Sequence, residues 1–171
     1  MNKISVNRKA HFDYEILETY EAGIELFGFE VKSVKTGRLN LTGSFAVIHP
    51  VRSQIPKEFA DAKSHRTSSG VKGWEVWLLN AHIPAYQPKN APPDYDPTRS
   101  RRLLLHKSEI KELIGKSAQK GLTIVPLKVY TKRNRIKILL GLARHKKKTD
   151  KRELIKRRET EREIERVLKR P

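Results

Sequence analysis

The chain has 171 residues, with 37 Lys or Arg against 19 Asp or Glu, a formal net charge of +18 and no cysteine. That length allows one domain with a real core plus an appendage, and the missing cysteine excludes disulfides and cysteine-ligated zinc. No apolar run approaches the ~20 residues of a membrane span, and Met1–Lys9 holds no apolar segment resembling a signal peptide. So basic a composition calls for an anionic partner, nucleic acid ahead of a membrane surface, and the missing cysteine suits a cytoplasmic setting.

The first predicted element is a strand over residues 12–20, where Phe12, Tyr14, Ile16, Leu17 and Tyr20 are set against Asp13, Glu15 and Glu18. Glu21-Ala22-Gly23 reads as a turn, and Ile24-Glu25-Leu26 as a returning strand. Val31 and Val34 within 28–35 predict a short helix stopped by Gly37. A strand follows over 44–48. Residues 49–73 carry Pro50, Pro56, Gly70, Gly73 and several serines, and read as a long excursion between two strands.

Residues 74–83 are the next strand, stopped by Pro84, and the four prolines of 87–97 give an extended loop. The three leucines of Arg101–Leu105 suggest a short buried segment. Ser108 is the predicted N-cap of a helix with Ile110, Leu113 and Ile114 on one face, closed by Gly121. Strands over 122–130 and 136–143 flank the turn Lys132-Arg133-Asn134-Arg135, and Pro126 marks an edge or a bulge. About six short strands and two helices point to a small antiparallel barrel over residues 1–143.

Residues 144–171 differ in kind. They hold thirteen Lys or Arg, six Asp or Glu and only five large apolar residues. Such a segment buries too little to offset its ordering entropy alone, so it is expected to be disordered or helical depending on its partner. Asp150 followed by Glu153 is an N-cap signature. Glu153–Arg157 and Glu165–Lys169 are spaced i, i+4 with the acid first, each pair contributing only ~0.2–0.5 kcal/mol. The basic character also reaches into the body: no acid lies between Glu112 and Asp150, a stretch with eleven Lys or Arg that include Lys132 and Lys137.

Catalytic and metal motifs are missing from the sequence. The six histidines are scattered, and there is no P-loop, G-x-G-x-x-G or G-x-S-x-G. Asp94 and Asp96 either shape a turn or hold a divalent ion. No cofactor is expected, and the chain reads as a non-enzyme. Among the aromatics, Tyr86 and Tyr95 lie beside prolines and are the better candidates for exposed base-stacking rings.

Eight collinear stretches carry a family resemblance: Asn7–His11, Glu21–Ile24, Gly28–Ser33, Asn80–Ile83, Asp96–Arg99, Arg102–His106, Gly141–Ala143 and Asp150–Arg152. In this order the chain resembles the small protein B family, the bacterial binding proteins of transfer-messenger RNA (SsrA RNA, tmRNA), over nearly everything except 49–73. The resemblance implies an oligonucleotide-binding-type (OB-fold-like) barrel, mainly β with flanking helices, and a monomer. It implies binding to the tRNA-like domain of transfer-messenger RNA, and delivery of that RNA with elongation factor Tu to stalled ribosomes in trans-translation. The tail would enter the vacant message channel near the decoding centre of the small subunit. Glu21, Leu104, His106 and Lys137 fall at RNA-binding positions of the family. Lys146, Lys147, Asp150, Lys151 and Arg152 fall in the segment needed for ribosome engagement. Two tail positions depart from the pattern: His145 stands where Gly is common, and Thr149 where an aromatic or His is common.

Two rivals share the basic composition. A ribosomal protein would be a permanent subunit component, and a nuclease would need a carboxylate or histidine cluster that the sequence does not display.

Overall fold

Strand pairing, rather than helix packing, organises the molecule. The computed structural model describes residues 2–50, 73–117 and 121–147, and singly residues 149, 159, 160, 164 and 166. Seven strands are described: β1 (Asn2–Val6), β2 (Tyr14–Ile24), β3 (Phe45–Pro50), β4 (Trp74–Leu79), β5 (Arg101–Leu104), β6 (Leu122–Lys132) and β7 (Arg135–His145). The helices are α1 (Arg8–Asp13), α2 (Gly28–Lys35) and α3 (Lys107–Ser117). All pairings are antiparallel, and the circuit β6-β3-β4-β5-β2-β7 closes because β7 also pairs with β6. The antiparallel barrel expected from the sequence is present, with one more strand and one more helix than expected.

Strand β6 carries the closure. Its Ile124 pairs with Ala46 of β3, whereas Lys128–Thr131 pair with β1. Pro126 sits between these two stretches and has no N–H to offer either neighbour. The register slips between Pro126 and Lys128, so the predicted irregularity is a bulge. Asn7 closes the gap. Its buried side chain donates to the carbonyls of Leu41 (2.9 Å) and Pro126 (3.1 Å) and accepts from the Ala10 amide (3.0 Å). That last bond caps α1, and it explains why Phe12 and Asp13 are helical rather than in the predicted strand.

The barrel interior is filled by Ala22, Val76, Leu78, Leu103, Ile124, Val129, Ile138, Leu140 and Leu142, with Ile110 and Leu113 of α3 closing one side. A smaller cluster lies outside the sheet, where Ala10 of α1 meets Val125, Leu127 and Ala143. Gly141 permits that contact: a Cβ there would lie 3.1 Å from Leu127 Cδ1 and 3.2 Å from Ile16 Cγ2.

Local chemistry sets the element ends. Helix α2 spans the predicted residues and stops in a Schellman motif, with Arg38 N–H to Ser33 O at 3.1 Å, Gly37 N–H to Val34 O at 2.8 Å and Gly37 at φ +83°. Arg133 and Asn134, at φ +48° and +61°, make the two-residue turn between β6 and β7. The strand predicted over 74–83 ends at Leu79 because Asn80 turns left-handed at φ +57°.

The predicted turn at Glu21–Gly23 does not form. Strand β2 runs straight through it, with Glu21 opposite Leu139 and Gly23 opposite both Lys137 and Leu104. Glycine is needed there for close approach: a Cβ on Gly23 would lie 3.2 Å from Leu104 Cβ.

One buried ionic cluster ties the helices and loops to the barrel. Glu30 of α2 and Arg101 of β5 are both fully buried. Glu30 Oε1 accepts from Arg101 Nε (3.0 Å) and Nη2 (2.8 Å), from Arg99 Nε (2.9 Å) and from Tyr95 Oη (2.9 Å). Its Oε2 accepts from Arg99 Nη2 and the Phe27 amide. Arg101 also donates to the carbonyls of Ala81 (2.7 Å), Arg99 (2.9 Å) and Pro97 (2.9 Å), so all five guanidinium N–H groups are used. Burial pushes the Glu30 carboxyl up. The Arg99 hydrogen bonds, the Arg101 charge and the Phe27 amide outweigh burial and hold it below the ordinary glutamate value. Replacing Arg101 with Ala would strand a buried carboxylate and is expected to cost about 3–5 kcal/mol in urea unfolding. Arg101→Lys should recover little, because an ammonium cannot reproduce the planar five-donor fork.

Candidate nucleic-acid interface

The run Leu103-Leu104-Leu105-His106 alternates as a strand must. Leu103 and Leu105 enter the core at 3% and 7% exposure, while Leu104 is 43% exposed. The expectation of a wholly buried leucine segment is corrected accordingly. His106, also exposed, begins α3: its amide donates to Glu109 Oε2 (2.8 Å) and its carbonyl accepts from the Ile110 amide (3.0 Å). The N-cap is therefore His106 and not the predicted Ser108.

Leu104 and His106 form one side of a groove of about 680 Å³, and Glu21, Lys132 and Lys137 form the other. Lys107 and Glu109 also line it. The four body residues singled out in the sequence, Glu21, Leu104, His106 and Lys137, thus come together from β2, β5, the start of α3 and β7. Gly23 makes the junction, because its missing side chain lets β5 lie against β2 beside Lys137.

The Glu21 carboxylate organises the far wall. It accepts from the Tyr130 hydroxyl and from Lys132 Nζ at 3.0 and 3.1 Å, and pairs with Lys137 Nζ at 3.7 Å. The Tyr130 hydrogen bond first, then the Lys132 bond and the charges of Lys132 and Lys137, hold the carboxyl below the ordinary glutamate value. Burial and then the Glu21 bond push the Tyr130 hydroxyl up to about 12, so it remains a donor. The groove has three lysines and two glutamates, and both carboxylates are already engaged within the protein. What it presents outward is ammonium groups, an imidazole and an exposed leucine. That suits a ligand with phosphates, hydrogen-bonding edges and flat apolar faces. Lys132, part of the acid-free basic stretch, also lines the groove, and its i, i+2 spacing with Tyr130 puts both on one face of β6.

The predicted stacking aromatics are not free. Tyr95 is half-buried, donates to Glu30 and to the Ile83 carbonyl (2.7 Å), and meets Phe29 edge-on, so its role is structural. Tyr86 is also half-buried, with the Arg38 guanidinium 5.8 Å from its ring centroid. Phe27 is the aromatic that stands out at the surface, 42% exposed, with the Arg99 guanidinium 4.0 Å from its ring centroid. Asp96 shapes a turn by accepting from the Thr98 amide and hydroxyl, both at 2.7 Å. Among the described residues no group of three or more metal-ligating side chains gathers, and no helix is long and apolar enough to cross a membrane.

Strand β7 extends through His145, whose ring meets Tyr14 edge-on at 5.3 Å. Lys146 docks onto α1: its amide donates to the Asp13 carbonyl (2.9 Å) and its Nζ to the His11 carbonyl (3.1 Å). Lys147 is described, whereas Asp150, Lys151 and Arg152 lie outside the described residues. Thr149, Glu159, Thr160, Ile164 and Arg166 are each helical and exposed.

The sign of the Glu21 shift yields a pH test. A depressed carboxyl contributes stability above the unfolded value of about 4.3, and loses it as pH falls through the lower folded value. Glu21→Gln should therefore lower Tm at pH 7, and the gap from wild type should shrink toward pH 3. A gap constant with pH would show that the ion pairs contribute nothing.

Comparison with known proteins agrees with this architecture. A model of the SmpB protein family matches residues 4–57 and 62–170, omitting only 58–61 of the long excursion. The SsrA-binding protein of Synechococcus elongatus is 47% identical over 167 residues, 98% of this chain and 94% of that protein. The SsrA-binding protein of Ligilactobacillus salivarius is 49% identical over 168 residues, 98% of this chain and 93% of that protein. A solved structure described as "tmRNA-SmpB: a journey to the center of the bacterial ribosome" superposes with a TM-score of 0.58 at 46% identity, covering 85% of this chain and 86% of that one. With its barrel and nearly its whole length accounted for, the chain belongs to the SmpB protein family.

Proposed function

We propose that this protein is a non-enzymatic RNA-binding adaptor of ribosome rescue in the cytoplasm. Its barrel binds the tRNA-like domain of transfer-messenger RNA through the groove, and elongation factor Tu is a further member of the delivery complex. The tail from residue 144 onward then engages the small subunit of the stalled ribosome, entering the vacant message channel near the decoding centre. The observation that carries the reading is the convergence of Glu21, Leu104, His106 and Lys137 on one cationic groove. Membership of a family whose named relatives are SsrA-binding proteins gives the RNA its identity.

The two halves have separable tasks in this reading. Lys137 meets phosphate, Leu104 and His106 meet an exposed base or sugar, and Lys146, Lys147, Asp150, Lys151 and Arg152 serve the ribosome. Lys137→Ala is expected to weaken binding of the tRNA-like RNA about tenfold or more, in keeping with the roughly 1.5–3 kcal/mol of a charge-assisted hydrogen bond. Truncation after Lys147, which leaves β7 whole, should leave that affinity within about twofold and abolish tagging of stalled peptides in a reconstituted translation system. Loss of RNA binding on truncation would refute the division.

A further inference from the structure

The groove is one end of a longer cationic feature. Reading across the sheet, Leu104 of β5 pairs with Gly23 of β2, Gly23 with Lys137 of β7, Lys137 with Tyr130 of β6, and Tyr130 with Lys3 of β1. Directly paired residues share a face, so this row crosses five strands on the outside of the barrel. The adjacent row holds Lys128, Leu139 and Glu21 in register. Lys128 is exposed and its Nζ lies 5.6 Å from the centroid of the Tyr130 ring. Tyr130 in turn holds Glu21, which holds Lys132 and Lys137. The lysines are thus set in one connected array, with a single carboxylate whose oxygens already face four donor contacts within the protein.

Beyond Lys3 the surface opens into a second groove of about 620 Å³, with Lys3, Lys35, Thr131 and Asn134 among its lining residues and no carboxylate there. Lys35 Nζ donates to Asn134 Oδ1 at 3.1 Å, so this ammonium too is held in place.

We propose that the RNA-binding surface continues from the groove across β7 and β6 to β1, with Lys132, Lys128 and Lys3 contacting successive phosphates of the same RNA. In this arrangement Glu21 and Tyr130 are positioning residues that space the ammonium groups and do not touch the ligand. Neighbouring strands lie about 4.8 Å apart, which puts Lys3 roughly 10 Å from Lys137. The proposal rests on the function proposed above for the choice of RNA, but the track itself requires only a phosphodiester backbone.

The test measures the salt dependence of binding by full-length protein between roughly 50 and 200 mM KCl. One probe is the labelled tRNA-like domain and the other a plain RNA duplex of similar length. Lys3→Ala, Lys128→Ala and Lys132→Ala should each flatten the slope of log affinity against log salt by about 0.7–0.9, and the triple variant by about 2–3. Lys128→Arg and Lys132→Arg should keep the wild-type slope, because arginine retains the charge that releases counterions. If Lys3→Ala and Lys128→Ala both keep the wild-type slope on both RNAs while Lys132→Ala and Lys137→Ala flatten it, contact is confined to the groove and the track is refuted. If the slopes flatten on the duplex but wild type shows no preference for the tRNA-like RNA, the track stands and the proposed function falls.

Discussion

The Glu30–Arg101 pair is the constraint on which the rest of the molecule depends. Neither ion has access to water, so each must find every partner inside the protein, and each does. To satisfy Arg101, the carbonyls of Ala81, Pro97 and Arg99 must all turn toward it. The irregular chain between β4 and β5 is thereby given one path. To satisfy Glu30, α2 must present its first turn to β5. An apolar pair could fill the same space, but it would not dictate the course of a proline-rich loop. Once that loop is fixed, β5 is fixed as well, and with it Leu104 and His106 at the rim of the groove.

The groove has a different logic. Its ionic groups are half-exposed, so their pairings add little to stability but a good deal to placement. A lysine on a free surface samples many rotamers. Lys132 and Lys137 are drawn toward one carboxylate, which is itself held by Tyr130. Glu21 limits repulsion between the ammonium groups and reduces their freedom before any ligand arrives, at the cost of one negative charge in a positive field. Lys116, between Glu18 and Glu112, shows the contrasting case: there the acids use up the cation, and nothing is left to present.

Much of this was legible in the sequence where the physics is local. The period of α2, the Gly37 stop, the two-residue turn between β6 and β7 and the bulge near Pro126 all depend on neighbours within a few residues. Leu104 and His106 were legible only through resemblance, because a run of three leucines hides its alternation. Glu21-Ala22-Gly23 misled for a specific reason. A glycine beside polar residues signals a turn, but here it serves the approach of β5, a demand made by residues about eighty positions away. The same holds for Glu30 and Arg101, separated by 71 positions. Three of the eight family stretches, Gly28–Ser33, Asn80–Ile83 and Asp96–Arg99, meet at that pair. Their joint appearance in the sequence therefore reflects folding as much as ligand binding.

Strand β7 runs without a break from the groove to the end of α1. Lys137 stands near its beginning, in the groove, and His145 at its end, against Tyr14. Eight residues of extended chain between them span about 27 Å. Strand β2 runs beside β7 over this whole length, and Lys146 is fastened to α1 where the strand stops. The barrel thus acts as a gauge of set length: the groove lies at a defined separation from Lys146. Inserting a single residue into β7 between these points would leave every contact type available. It would nonetheless turn the remaining side chains to the opposite face and move Lys146 by one strand step.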